Sequence, residues 1–145
     1  DSRSLITRSR IMRFPMCVIR YDTFVRQGKL VSHEVMRDAN RLVYINSAQA
    51  ALKLRKKRFI VFFSHQWLSG KIPDPTHRQF QDMLAALSAL AKTYRVRFEN
   101  MYVWIDYSSI PQEGADQQQL AIDSITTYVS VSSAFVIVAP QVLHT

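Results

Sequence analysis

The chain has 145 residues, 48% of them hydrophobic and 21% charged, with a formal net charge of +8 and one cysteine. That is enough for one ordinary domain with a real core, and the composition excludes disorder. No apolar run approaches the roughly 20 residues of a membrane helix, Arg13 and Pro15 interrupt anything resembling a secretory leader, and Cys17 has no partner for an internal disulfide.

In chain order, residues 1–10 are polar and rich in Arg and Ser, and read as an extended arm. Met16 to Ile19 reads as a short strand or an apolar anchor, in which Cys17 is a small buried residue rather than a nucleophile. Gln27-Gly28 marks a turn. Ser32 is an N-cap candidate for a short helix running to about Asn40, with Glu34 in its first turn. Leu42 to Ile45 is a second short apolar run, and Asn46 or Ser47 caps a helix over Ala48 to Leu54. The basic cluster Lys53 to Arg58 then suits that helix's C-terminal end, the simpler account, or reads as a nuclear-localisation or phosphate-binding patch.

From Phe59 the pattern sharpens. Phe59 to Phe63 and Met101 to Ile105 are almost wholly apolar, rich in Val, Ile and aromatics, as expected of strands covered on both faces. Between them the spacing predicts a helix over about Thr76 to Tyr94, with Phe80, Met83, Leu84, Leu87, Leu90 and Ala91 in one stripe and Thr76 as its cap. A loop over 106–115, a helix over about Asp116 to Ser130 with Leu120, Ile122, Ile125 and Val129 as contacts, and a strand Ala134 to Val138 follow. The crossover rule makes these three strands parallel neighbours in one sheet.

Charge divides at the same place. Residues 1–58 hold 14 Lys and Arg against 4 Asp and Glu, a balance of +10, whereas residues 59–145 hold 5 against 7, a balance of −2. The basic part reads as a solvated extension, or as a surface for nucleic acid or another anionic partner.

Ligands in open α/β sheets bind beyond the carboxyl ends of the strands, so Ser64, His65 and Trp67 after one strand and Asp106 after the next are the candidate site. His65 reads either as a ligand contact or general base, or as a ring hydrogen-bonded to fix its loop. Trp67 either stacks on a flat ligand or packs. Asp106 either binds a ribose, metal or cation, or accepts from the amides of its own loop. Pro73-Asp74-Pro75 reads as a rigid loop. Isolated Gly28, Gly70 and Gly114 exclude a glycine-rich phosphate loop, and the histidines at 33, 65, 77 and 144 lack metal-ligand spacing, so no metal is expected.

Phe59-Ile-Val-Phe-Phe-Ser-His-Gln-Trp67, Tyr102-Val-Trp-Ile-Asp106, Ile110-Pro111-Gln112 and the Ser-Ser-Ala-Phe-Val-Ile-Val-Ala-Pro run ending at Pro140 resemble the Toll/interleukin-1 receptor (TIR) superfamily, in its heterokaryon-incompatibility-like branch. Ser109 stands where that pattern usually has cysteine. The resemblance covers about residues 59–140 and implies an α/β, flavodoxin-like three-layer parallel sheet, here partial and cut off after the third strand. Residues 1–58 would then be a basic N-terminal extension and 59–145 the TIR-like domain. It further implies an intracellular signalling module with protein partners or self-association, in which Tyr107, Ser108, Ser109, Ile110, Pro111 and Gln112 form an interaction loop. Many members of the family cleave NAD+ at the nicotinamide–ribose bond, using a glutamate beyond the third strand. Glu99 and Glu113 lie in the wrong segments for that role, so NAD+ is expected as a substrate only if a catalytic glutamate lies beyond this chain.

Overall fold

A computed structural model describes residues 11–65, 67 and 72–139. The expected arm over 1–10, the Gly70 part of the loop and the strand's stop at Pro140 lie outside these. The elements run β1 (Met16–Arg20), α1 (Tyr21–Gln27), α2 (His33–Asp38), β2 (Val43–Ile45), α3 (Ala48–Leu54), β3 (Phe59–His65), α4 (Arg78–Tyr94), β4 (Met101–Ile105), α5 (Asp106–Ser109), α6 (Ala115–Asp123), α7 (Ile125–Val131) and β5 (Ala134–Val138).

Successive strand residues point to opposite faces, and here both faces are apolar. Cys17, Ile19, Val61, Phe63, Val103 and Ile105 enter one core with Phe24, Met36, Phe80, Met83 and Leu87. Met16, Val18, Ile60, Phe62 and Trp104 enter a second core with Ala48, Ala51, Tyr128 and Val131. Helices therefore cover the sheet on both sides, an α/β arrangement compatible with a flavodoxin-like one. Phe62 stacks on Trp104 with ring centroids 4.1 Å apart.

Among the described residues the sheet has five strands, in the order β2-β1-β4-β3-β5. β3 lies between β4 and β5 and is parallel to both, as the crossover rule requires. The wholly parallel sheet expected from the sequence is corrected, because β1 runs antiparallel to both β4 and β2. An apolar run covered on both faces carries no mark of strand direction. Here β1 occupies the side of β4 that would otherwise be an unpaired edge. Sheet and cores thus run across residues 58 and 59.

Local chemistry explains most of the element boundaries. Ser32 accepts from the Val35 amide at 3.4 Å and Ser47 from the Ala50 amide at 3.0 Å, the capping expected at both helix starts. Helix α1, which the sequence did not announce, leaves β1 directly and stops at Gly28, whose φ of 69° is the left-handed conformation glycine tolerates. Thr76 does not cap α4. The chain turns through His77, and Asp74 lies under the helix start, accepting from the amides of Gln79 at 3.1 Å and Phe80 at 2.8 Å. A carboxylate there answers both the free amides and the positive end of the dipole.

The single helix expected over 116–130 is two, broken at Ser124. The Ser124 hydroxyl donates to the Leu120 carbonyl at 2.8 Å and accepts from the amide of Arg13 at 2.9 Å, which ties the incoming chain to the break. The break resets the buried face. Leu120 and Ile122 are exposed, while Ala121, Tyr128 and Val131 are buried.

Candidate functional site

Because β3 and β4 are parallel neighbours with Phe63 opposite Ile105, their carboxyl ends coincide. His65 and Asp106, 41 residues apart in sequence, meet there. The His65 Nε2 lies 2.8 Å from Asp106 Oδ1, and its Nδ1 lies 2.7 Å from Gln79 Oε1. Both ring nitrogens face oxygen acceptors, an arrangement only the doubly protonated ring satisfies in full. The His65 side chain is fully enclosed, with 0% exposure against 35% for Asp106. Burial alone would lower its pKa. The hydrogen bond and charge of Asp106, the Gln79 bond and the charge of Asp74 together outweigh burial and hold it above the ordinary histidine value.

Asp106 is equally occupied. Its Oδ1 also accepts from the Tyr107 amide at 2.7 Å, and its Oδ2 accepts from the Trp67 indole at 2.9 Å. Trp67 in turn packs edge-on against Tyr107, with centroids 5.5 Å apart. His65, Trp67, Asp106 and Gln79 thus form one connected hydrogen-bonded cluster. Trp67 serves it as a donor and packing surface, and Asp106 accepts from its own loop, as one of its two sequence readings holds.

Ser64, His65 and Asp106 form the polar wall of a cleft of about 380 Å³, whose apolar walls are Phe62, Trp104, Ile125, Val129 and Phe135. Among the described residues, no group of three or more His, Cys, Asp and Glu side chains is placed to hold a metal ion. No described helix is long and apolar enough to cross a membrane.

The segment after β4, expected as a loop over 106–115, begins with the single helical turn α5 and runs inward. Ser108, Ser109, Ile110 and Pro111 are buried, while Tyr107 and Gln112 are half-buried. The chain's own segment 31–34 holds it. The Ser108 hydroxyl donates to the Val31 carbonyl. The His33 Nδ1 donates to the Ser108 carbonyl at 3.1 Å. Glu34 Oε1 accepts from the amides of Gln112 at 2.7 Å and Glu113 at 3.1 Å. Burial lowers the His33 pKa against the opposing pull of that carbonyl bond and of Glu34. The buried Cys17 thiol is pushed up to about 12 by desolvation, so it carries no nucleophile.

Sequence reasoning placed His65 and Trp67 after one strand and Asp106 after the next, at one end of the sheet, but missed Gln79, Asp74, His33 and Glu34. The carboxylate between two prolines was a usable signal for Asp74. Nothing in the sequence pairs Glu34 with a backbone 78 residues away. No family model, curated protein or solved structure matches the chain.

Proposed function

We propose that this chain is a TIR-like protein-interaction and signalling module, acting as a scaffold or subunit of an assembly. The observation that carries the reading is the closure of the His65–Asp106 cluster. A general base needs a free nitrogen within reach of a substrate proton, and both nitrogens of His65 are taken inside an enclosed side chain. The cluster therefore acts as a clamp that fixes the ends of β3 and β4 and the start of α4. The outer side of the fold supports the same reading: Phe135 is 49% and Ile137 71% exposed on β5, which ends the sheet among the described residues. Apolar side chains beside an open strand edge are an association surface.

The second reading is an NAD+-cleaving domain whose glutamate lies outside this chain. What favours it is the cleft at the strands' carboxyl ends, with aromatic walls and a polar end. Sedimentation of the chain over a concentration series, paired with an NAD+ turnover assay, tests the two together. Reversible self-association that Ile137→Glu abolishes, without turnover, is the expected result. A monomer at every concentration that cleaves NAD+, and stops doing so in Asp106→Asn, overturns the module reading.

A further inference from the structure

We infer that the hollow at the amino ends of β3 and β4, at the opposite end of the strands from His65, binds a compact polyphosphorylated ligand. Two segments remote in sequence build it. Arg55, Lys56, Lys57 and Arg58 lead into β3, and Arg95 and Arg97 lie between α4 and β4; together they line a hollow of about 380 Å³ that, among the described residues, no carboxylate lines. Sequence alone offers the first four as a helix-end cluster or a phosphate-binding patch. Folding adds the last two.

Helix dipoles account for part of this charge and not the rest. Arg55 caps the C-terminus of α3 and Arg95 that of α4, where a cation is favoured. Lys56, Lys57 and Arg97 lie beyond those ends. Arg58 and Arg55 are oriented by neutral oxygens: Arg58 Nη1 donates to Asn100 Oδ1 at 3.1 Å and Arg55 Nη1 to the Ser132 carbonyl at 3.4 Å. Neutral acceptors fix a guanidinium without cancelling its charge. Among the described residues, the only ion pair made by any of the six is Arg97 with Glu99 at 3.4 Å, and both partners are largely exposed, where water screens such a pair. Arg95 also sits at φ 55°, a conformation that favours glycine, yet it carries a cation toward the hollow.

Crowded like charges in a concave surface repel one another and focus a positive field on the space between them. A multiply charged anion relieves that repulsion, and guanidinium groups match phosphate oxygens in bidentate geometry. Convergence on a single hollow, rather than a stripe along the surface, fits one compact group in place of an extended nucleic-acid backbone. The shared chemistry is a cluster of phosphates on a small framework, either free in solution or as a lipid headgroup.

The test is calorimetric titration of the whole chain with inositol hexakisphosphate, alongside co-sedimentation with phosphatidylcholine vesicles containing phosphatidylinositol 4,5-bisphosphate. Saturable one-to-one binding that weakens with added salt is expected, and vesicle capture identifies the headgroup as the source. Lys56→Gln with Lys57→Gln, and separately Arg95→Gln with Arg97→Gln, should each weaken binding roughly tenfold or more, the weight of a lost charge-assisted hydrogen bond. Arg26→Gln with Lys29→Gln, which removes two exposed cations outside the hollow, should leave it unchanged; circular dichroism verifies the fold of all three. Absent saturation, an equal loss in the Arg26 and Lys29 variant, or tighter binding of a single-stranded RNA through the same six residues overturns the inference.

Discussion

At the carboxyl ends of β3 and β4 the charges are answered from within the chain. His65 meets Asp106 and Gln79, and Asp106 also takes the Trp67 indole and the Tyr107 amide. At the amino ends of the same two strands, six cations converge and only Arg97 has an acidic partner among the described residues. The two ends share a sheet, and their hollows have the same volume of about 380 Å³. What separates them is whether the polar groups are satisfied. A satisfied buried cluster contributes rigidity and leaves nothing over for a ligand. An unsatisfied exposed one contributes little to folding and keeps its charge for a partner. Position at the carboxyl ends, the usual guide to a site in such sheets, is therefore the weaker criterion here.

The comparison breaks most readily at His65. His65→Ala removes the ring at the centre of an enclosed cluster and takes one hydrogen-bond partner from each of Gln79 and Asp106, a loss of about 3 kcal/mol in urea unfolding, at the low end for a buried pair because Asp106 is partly solvated. A loss below about 0.5 kcal/mol, the scale of an unremarkable surface change, would show that the cluster is not a clamp. Asp74→Ala should follow with about 1–2 kcal/mol, since two amides at the start of α4 lose their acceptor.

The two buried histidines give the fold a pH signature. The folded pKa of His65 is raised above 6.5, so its contribution is fully present below that value and is lost as pH rises through the raised one. The folded pKa of His33 is lowered from 6.5, so its contribution is present above that value and is lost as pH falls through the lowered one. Over the histidine range, stability should decline on the alkaline side through His65 and on the acid side through His33. Urea midpoints across this range test the assignment: His65→Gln should flatten only the alkaline limb, and His33→Gln only the acid limb. If His65→Gln leaves the alkaline limb unchanged, the ring is not held as a cation.

How much of this was legible in the sequence depends on the range of each interaction. The runs Phe59 to Phe63, Met101 to Ile105 and Ala134 to Val138, with helices between them, announced three adjacent parallel strands, because pattern and crossover handedness are local rules. The direction of β1 was not legible, since Met16 to Ile19 is buried on both faces and its partner in β4 lies far along the chain. The break at Ser124 was equally hidden: its hydroxyl is engaged by the amide of Arg13, 111 residues away. At the site, His65 and Asp106 could be placed but not joined. Their meaning turned on Gln79, an unremarkable residue in the first turn of a helix, and no spacing rule links it to a strand end. The basic hollow was half visible, as Lys53 to Arg58, until Arg95 and Arg97 were folded beside it.

The smallest effect sharpens the comparison from the other side. Lys56→Gln with Lys57→Gln removes two exposed cations from a hollow already crowded with like charge, so no favourable pair is lost and some repulsion is relieved. Stability should change by no more than about 0.5 kcal/mol, with any shift in the stabilising direction and largest at low salt, where screening is weakest. Urea unfolding at two ionic strengths measures it. A clear destabilisation would mean that these lysines are already answered by groups of the folded chain, and that the amino end, like the carboxyl end, is closed on itself. No change, together with a stabilisation by inositol hexakisphosphate that disappears in the double variant, would place the folding role at one end of the strands and the binding role at the other, because a ligand that binds only the folded chain must raise its stability.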